Sequence, residues 1–198
     1  MKKTEIIIAT LSIIALGLNL LLIPGGGLLT VFTLLTLSII YGFLGFAFFN
    51  DLRLRSIFKK ESYTTISGLR ILGAVGAGWA LSATVNGLMF KFQSWSGADF
   101  NLSIGLVGLL IVIIIGSIKY SKNKSDYYTR IFKRAAVFGG LGLIIMLTPN
   151  TNWIELKYRN QPAYVDALKK AMADPDNKEL WDNVEVEGQK MNNENEHE

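Results

Sequence analysis

Residues 6–49 read IIIATLSIIALGLNLLLIPGGGLLTVFTLLTLSIIYGFLGFAFF, an unbroken stretch without one charged side chain, interrupted only at Pro24-Gly25-Gly26-Gly27. A helix needs about 20 apolar residues to cross about 30 Å of hydrocarbon, and the runs on either side of the break, Ile6–Ile23 and Leu28–Phe49, have that length. Proline cannot continue the helical hydrogen bonding, and glycine permits the positive φ of a tight reversal. The stretch therefore predicts an antiparallel membrane hairpin.

Working outward, Ile71–Phe90 and Leu102–Ile118 are again free of charge and of spanning length. A fifth run, Ile131–Thr148, carries Lys133 and Arg134 near its start, where long basic side chains can snorkel toward headgroups; the alternative for it is an interfacial helix. The expected fold class is all-α: a polytopic membrane protein of five transmembrane helices, two tandem hairpins plus one, with a short soluble helical tail. In chain order this gives a first hairpin over 1–50, a basic loop over 51–70, a second hairpin over 71–120, a basic loop and fifth helix over 121–149, and an acidic tail over 150–198. Lys2-Lys3 before an apolar run has the outline of a signal peptide. The run exceeds the usual h-region of about 7–15 residues, and no small-x-small site precedes Pro24, which favours a retained helix.

Composition agrees. Half of the 198 residues are hydrophobic, 18% are charged, and mean hydropathy is +0.32, whereas soluble domains carry about a quarter charged residues. The charge is segregated: residues 1–150 hold 14 Lys and Arg against five acids, and residues 151–198 hold six against eleven. The sequence pI near 9.2 thus describes no single surface, and nucleic acid is not an expected partner. Without cysteine there is no disulfide, thiol catalysis or Fe–S cluster, and the single histidine, His197, is the penultimate residue.

The loops orient the chain. Counted from the amino end, successive loops hold 2, 0, 5, 1 and 6 basic residues, alternating with every crossing. The positive-inside pattern puts the amino terminus in the cytoplasm, and five crossings put the tail outside, in the periplasm of a bacterial inner membrane. Phe43, Phe46, Phe48, Phe49, Tyr120, Tyr127 and Tyr128 then fall on the inner side, and Trp95, Phe100 and Trp153 on the outer.

The third run is rich in small residues. Gly73, Gly76, Ala77, Gly78, Ala80 and Ser82 include pairs four apart, the pattern that lets helix backbones approach closely where lipid supplies no hydrophobic drive. Aligning Ile23-Pro24-Gly25-Gly26 with Trp95-Ser96-Gly97-Ala98 places Thr33 and Thr36 opposite Gly105 and Gly108, which predicts a tandem duplication of the hairpin. The expected turn residues are Pro24, Gly25, Gly26 and Gly27 in the first hairpin, and Trp95, Ser96 and Gly97 in the second.

Phe90-Lys91-Phe92-Gln93-Ser94-Trp95-Ser96-Gly97-Ala98 before an apolar helix resembles the Phe-Lys…Trp-Pro-Gly-Ala turn of small Bacteroidetes membrane hairpins, and Ile23-Pro24-Gly25-Gly26-Gly27 is similar to its Pro-Gly-Gly form. Those hairpins are best known from the amino-terminal transmembrane region of the gliding-motility and type IX secretion motor protein (GldL/PorL type). The resemblance covers residues 5–120 at most. It implies an inner-membrane location and packing against other envelope subunits. Motor members have a membrane-embedded glutamate and a histidine at the turn; here the five runs hold no acid, and Ser94 stands at the histidine position. Proton-driven motor function is therefore not part of the expectation.

The remaining chemistry is sparse. Gly73–Gly78 and Gly139–Gly142 look superficially like phosphate loops, but they lie inside apolar runs and lack the following Lys-Ser/Thr. No catalytic, metal or cofactor-binding residues are expected. The in-span hydroxyls and amides read as groups for interhelical or headgroup hydrogen bonding, with a solute or ion path lined by Thr33, Thr36, Asn86 and Ser103 as the alternative. The loop over 51–70 mixes Leu52, Leu54, Ile57 and Phe58 with basic residues, a combination that can lie on an anionic leaflet. In the tail, Pro162 opens one amphipathic helix, Asp174-Pro175 reads as cap and first residue of a second, and the last residues read as disordered. Two such short helices are marginal alone, so Tyr164, Leu168, Leu180 and Trp181 are candidate partner contacts. The expected function is a non-enzymatic inner-membrane subunit whose partners are membrane lipid and other integral-membrane or periplasmic proteins, or itself. The rival is a small transporter or channel component for an uncharged solute or an ion.

Overall fold

A computed structural model describes residues 2–64 and 66–195; His197 lies outside them. Among the described residues the chain is helical with no strand, and it divides into two compact units, residues 1–147 and 148–198. In the first unit α1 (Lys2–Leu20), α2 (Gly26–Phe49), α3 (Gly68–Gln93) and α4 (Ala98–Lys122) are each long and apolar enough to cross a membrane. A further helical stretch runs through α5 (Asp126–Arg134), a π-helical turn (Ala135–Gly139) and α6 (Gly140–Leu147), and α7 (Asn150–Lys157) follows it in sequence. The architecture is compatible with an all-α, multi-pass membrane protein.

Both hairpin turns have the same construction. Helix α1 closes with Ile23 N–H donating to the Leu18 carbonyl (3.0 Å) and Leu22 N–H to that of Asn19 (3.1 Å). Helix α3 closes with Trp95 N–H to Phe90 (2.9 Å) and Ser94 N–H to Lys91 (3.1 Å). This paired 6→1 and 5→2 pattern requires a left-handed residue after the helix, here Leu22 (φ 59) and Ser94 (φ 57). Three residues on, Gly25 (φ 82) and Gly97 (φ 78) cap α2 and α4, and their carbonyls accept from Leu29 and Asn101. Of the expected turn residues, Pro24, Gly25, Trp95, Ser96 and Gly97 lie in the turns. Gly26 and Gly27 instead open α2: the reversal is complete at Gly25, and a Cβ on Gly26 would stand 2.7 Å from the Asn19 nitrogen at the end of α1.

Helix α3 packs between α2 and α4. On the α2 side, a Cβ on Gly45 would lie 2.8 Å from Gly78 Cα, and one on Gly78 would lie 2.5 Å from the Tyr41 carbonyl oxygen. The Ser38 and Ser82 hydroxyls meet at 2.8 Å across the same seam. On the α4 side, a Cβ on Gly105 would run into the Thr84 backbone, and one on Gly108 would lie 3.0 Å from Ala80 Cβ. Ala77 is fully buried, Gly73 faces the Tyr127 hydroxyl, and Gly76 has nothing within 4 Å of an added Cβ. Such backbone approaches yield dispersion and interhelical bonding that bulkier residues would forbid. In contrast, α1 packs chiefly against α2 and leaves Ile6, Ile7, Ile13 and Ile14 exposed, a surface suited to lipid.

Several of the aromatic residues expected on the inner side belong to the core. Phe48, Phe49 and Tyr127 are buried, because α5 folds back across the ends of α2 and α3. Phe43, by contrast, is largely exposed.

In the second unit, α7 precedes α8 (Pro162–Ala173) and α9 (Lys178–Asn195). Helix α8 starts at Pro162 as its sequence predicts, whereas α7 is an addition to that reading. The last helix begins at Lys178 rather than Pro175: the Trp181 indole N–H donates to the Pro175 carbonyl (2.9 Å), which makes 174–177 a closed turn. It also runs on through Asn195, replacing the expected disorder with helix up to that point.

Candidate functional site

The reading of the spans as free of acids is corrected by the first helix. Helix α1 begins at Lys2, so Glu5 belongs to its first turn, and this carboxylate is only 8% exposed. Its Oε1 accepts from the Tyr41 hydroxyl (2.7 Å) and from Arg134 Nε (2.6 Å), and its Oε2 pairs with Arg134 Nη2. Tyr41 is 1% exposed and lies about 12 Å of helix rise from the end of α2. The cluster thus ties α1, the middle of α2 and the end of α5 together across 129 positions of sequence.

The surroundings hold each member in place. Arg134 also donates to the Arg130 carbonyl (2.9 Å), and its guanidinium lies 5.6 Å from the Phe49 ring centroid. Arg130 donates to the Phe49 carbonyl (3.1 Å) and lies 3.7 Å from Asp51. The π turn begins at the residue after Arg134 and carries Phe138, whose ring meets Tyr41 edge-on at 5.4 Å. A single π turn within an α-helix commonly sits at a functional position. Arg134 therefore turns inward instead of snorkelling, while its neighbour Lys133 stays exposed.

Chemically the cluster is a holding device. Both carboxylate oxygens of Glu5 are engaged by a guanidinium in bidentate fashion, the strongest protein ion-pair geometry, and the phenol takes a further lone pair. A buried pair offsets its desolvation only with such complete hydrogen bonding. Among the described residues no three His, Cys, Asp or Glu side chains come together as a metal site.

At the opposite end of the hairpins, Gln93 donates to the Gly27 carbonyl (2.9 Å), linking the first hairpin to the second. Lys91, the one base of the second hairpin turn, is 4% exposed and bonded to Asp99 at 2.5 Å. The in-span hydroxyls of Ser12, Thr30, Thr33, Thr36, Thr84 and Ser103 all donate to carbonyls of their own helix. Thr36 is exposed on the bundle's outside, so it does not line an interior path with Asn86.

The candidate contacts of the tail unit are dispersed by its packing. Tyr164 meets Tyr158 edge-on at 4.9 Å and lies against Gly188, and burial together with the neighbouring Tyr164 pushes the Tyr158 phenol up from its ordinary range. Leu168 and Leu180 are half-buried, whereas Trp181 remains 40% exposed. In comparisons with known proteins, the chain matches no family model, no curated protein and no solved structure.

Proposed function

We propose that the chain is a non-enzymatic, multi-pass subunit of a bacterial inner membrane that packs with other envelope proteins and offers its tail unit as the contact outside. One observation carries the reading. The tail unit buries Val165, Ala167 and Ala171 between its own helices yet leaves Trp181, Val186 and Met172 exposed on a charged, water-suited surface. Exposed tryptophan of this kind is characteristic of contact surfaces. The resemblance of the two hairpin turns to gliding-motility hairpins points the same way. The paired state of Glu5 supports a role for it in assembly of the fold over one in carrying protons.

The test is mild detergent extraction of the native protein followed by identification of what stays attached. A stoichiometric companion lost in Trp181→Ala supports the reading; a chain that elutes alone and monomeric contradicts it. The second reading, a small transporter or channel component for an uncharged solute or an ion, draws on the ionisable groups buried among apolar helices, which usually mark function. It requires flux into liposomes by the reconstituted chain that Glu5→Gln abolishes.

A further inference from the structure

Helices α3 and α4 touch backbone to backbone from Gly87 and Leu102 down to Ala80 and Gly108, then separate toward the end where α3 begins. Between them and α5 lies a cleft of about 530 Å³. Its floor is apolar, formed by Gly73 and Gly76 of α3 and by Ile111, Val112 and Ile115 of α4. Gly76 is what keeps it open, since nothing in the protein comes within 4 Å of an added Cβ there.

The rim has the opposite character. It carries Arg70 and Lys119 together with the Ser125 and Tyr127 side chains, and among the described residues no acid lines the cleft. The Arg70 guanidinium lies 4.6 Å over the Tyr127 ring, and its Nε is buried without a hydrogen-bond partner among the described residues. The ring holds the guanidinium in place beside the cleft, where its charge favours an anion. Arg70 and Lys119 belong to the basic end of the helices, where a cytoplasmic headgroup would lie.

From the apolar floor and the basic rim, we propose that this cleft binds one anionic phospholipid, its phosphate on Arg70 and Lys119 and an acyl chain along Gly73–Gly76 and Ile111–Ile115. A zwitterionic lipid would bring its ammonium group against the same two cations. The proposal rests on the membrane reading of the chain and adds a specific lipid site to it.

The full chain in detergent, titrated with phosphatidylglycerol or with phosphatidylcholine of equal acyl length and followed by native mass spectrometry, tests this. The anionic lipid is expected to bind about five- to tenfold more tightly. Arg70→Gln and the exposed Lys119→Gln each reduce that preference, and Gly76→Leu weakens both lipids by filling the floor. Equal binding of the two lipids, or an unchanged preference in both charge variants, overturns the proposal. So does full displacement by millimolar inorganic phosphate, which would identify a free-phosphate site. Extraction of the chain from membranes by alkali without detergent would instead refute the membrane reading itself, so the two failures are distinguishable.

Discussion

Leu22 and Ser94, seventy-two positions apart, hold the same left-handed backbone (φ 59 and 57) and close their helices with the same pair of hydrogen bonds. The register extends into the helices. Ser12 and Thr84 occupy equivalent positions, and each donates its hydroxyl to the carbonyl four residues back, Ile8 at 2.9 Å and Ala80 at 2.8 Å. The two hairpins are thus built to one plan in hydrogen bonding as well as in turn sequence.

That equivalence has a thermodynamic consequence. A residue with a Cβ costs about 1–2 kcal/mol in the left-handed region, so Gly25→Ala and Gly97→Ala should each destabilise by about that amount. Leu22→Gly and Ser94→Gly should stabilise by up to about 1 kcal/mol, because glycine releases the strain at some cost in unfolded-chain entropy. Thermal unfolding in micelles followed by tryptophan fluorescence measures all four, and opposite signs in the two hairpins would contradict the common plan.

Two glycines of α3 two positions apart should behave differently. Gly78→Ala drives a methyl against the Tyr41 carbonyl oxygen and should cost about 1–3 kcal/mol by overpacking. Gly76→Ala meets nothing and should be neutral or stabilising by up to about 1 kcal/mol through helix propensity. Equal losses in the same unfolding assay would mean that the α2–α3 seam is not at Gly45 and Gly78.

Breaking the buried cluster should be costly only when it is broken by halves. Glu5→Gln or Arg134→Gln leaves a buried charge uncompensated and should destabilise by about 3–5 kcal/mol, whereas the double variant Glu5→Met with Arg134→Met should recover most of the loss. Tyr41→Phe removes one hydrogen bond to a charged acceptor, a loss of about 1.5–3 kcal/mol. A fully additive double variant would show that the two side chains do not interact.

The hairpins were legible in the sequence because apolar run length and the Pro24-Gly25 and Ser96-Gly97 turn chemistry act locally. The Glu5–Arg134 pair was not. Each residue stands at the margin of its apolar run, where a charge looks like a boundary marker, and their meeting depends on how α1 and α5 pack. Nothing in Ala135-Ala136-Val137-Phe138-Gly139 announces a π turn, since its composition suits an α-helix equally. Asp174-Pro175 has the composition of a helix start, but the Trp181 indole bond to the Pro175 carbonyl uses those residues as a turn. The apolar pattern predicts lengths and faces; it does not predict which edge charges find each other.

The proposed topology would put the basic loops and the acidic tail on opposite sides of a membrane. In the cysteine-free chain, single cysteines at Ser125, the cap of α5, and at Asn183 in α9 can be labelled in intact cells with an impermeant thiol reagent. Labelling at 183 and not at 125, with both reactive after permeabilisation, is the expected result. Labelling at 125 and not at 183, or equal labelling of both before permeabilisation, would contradict it.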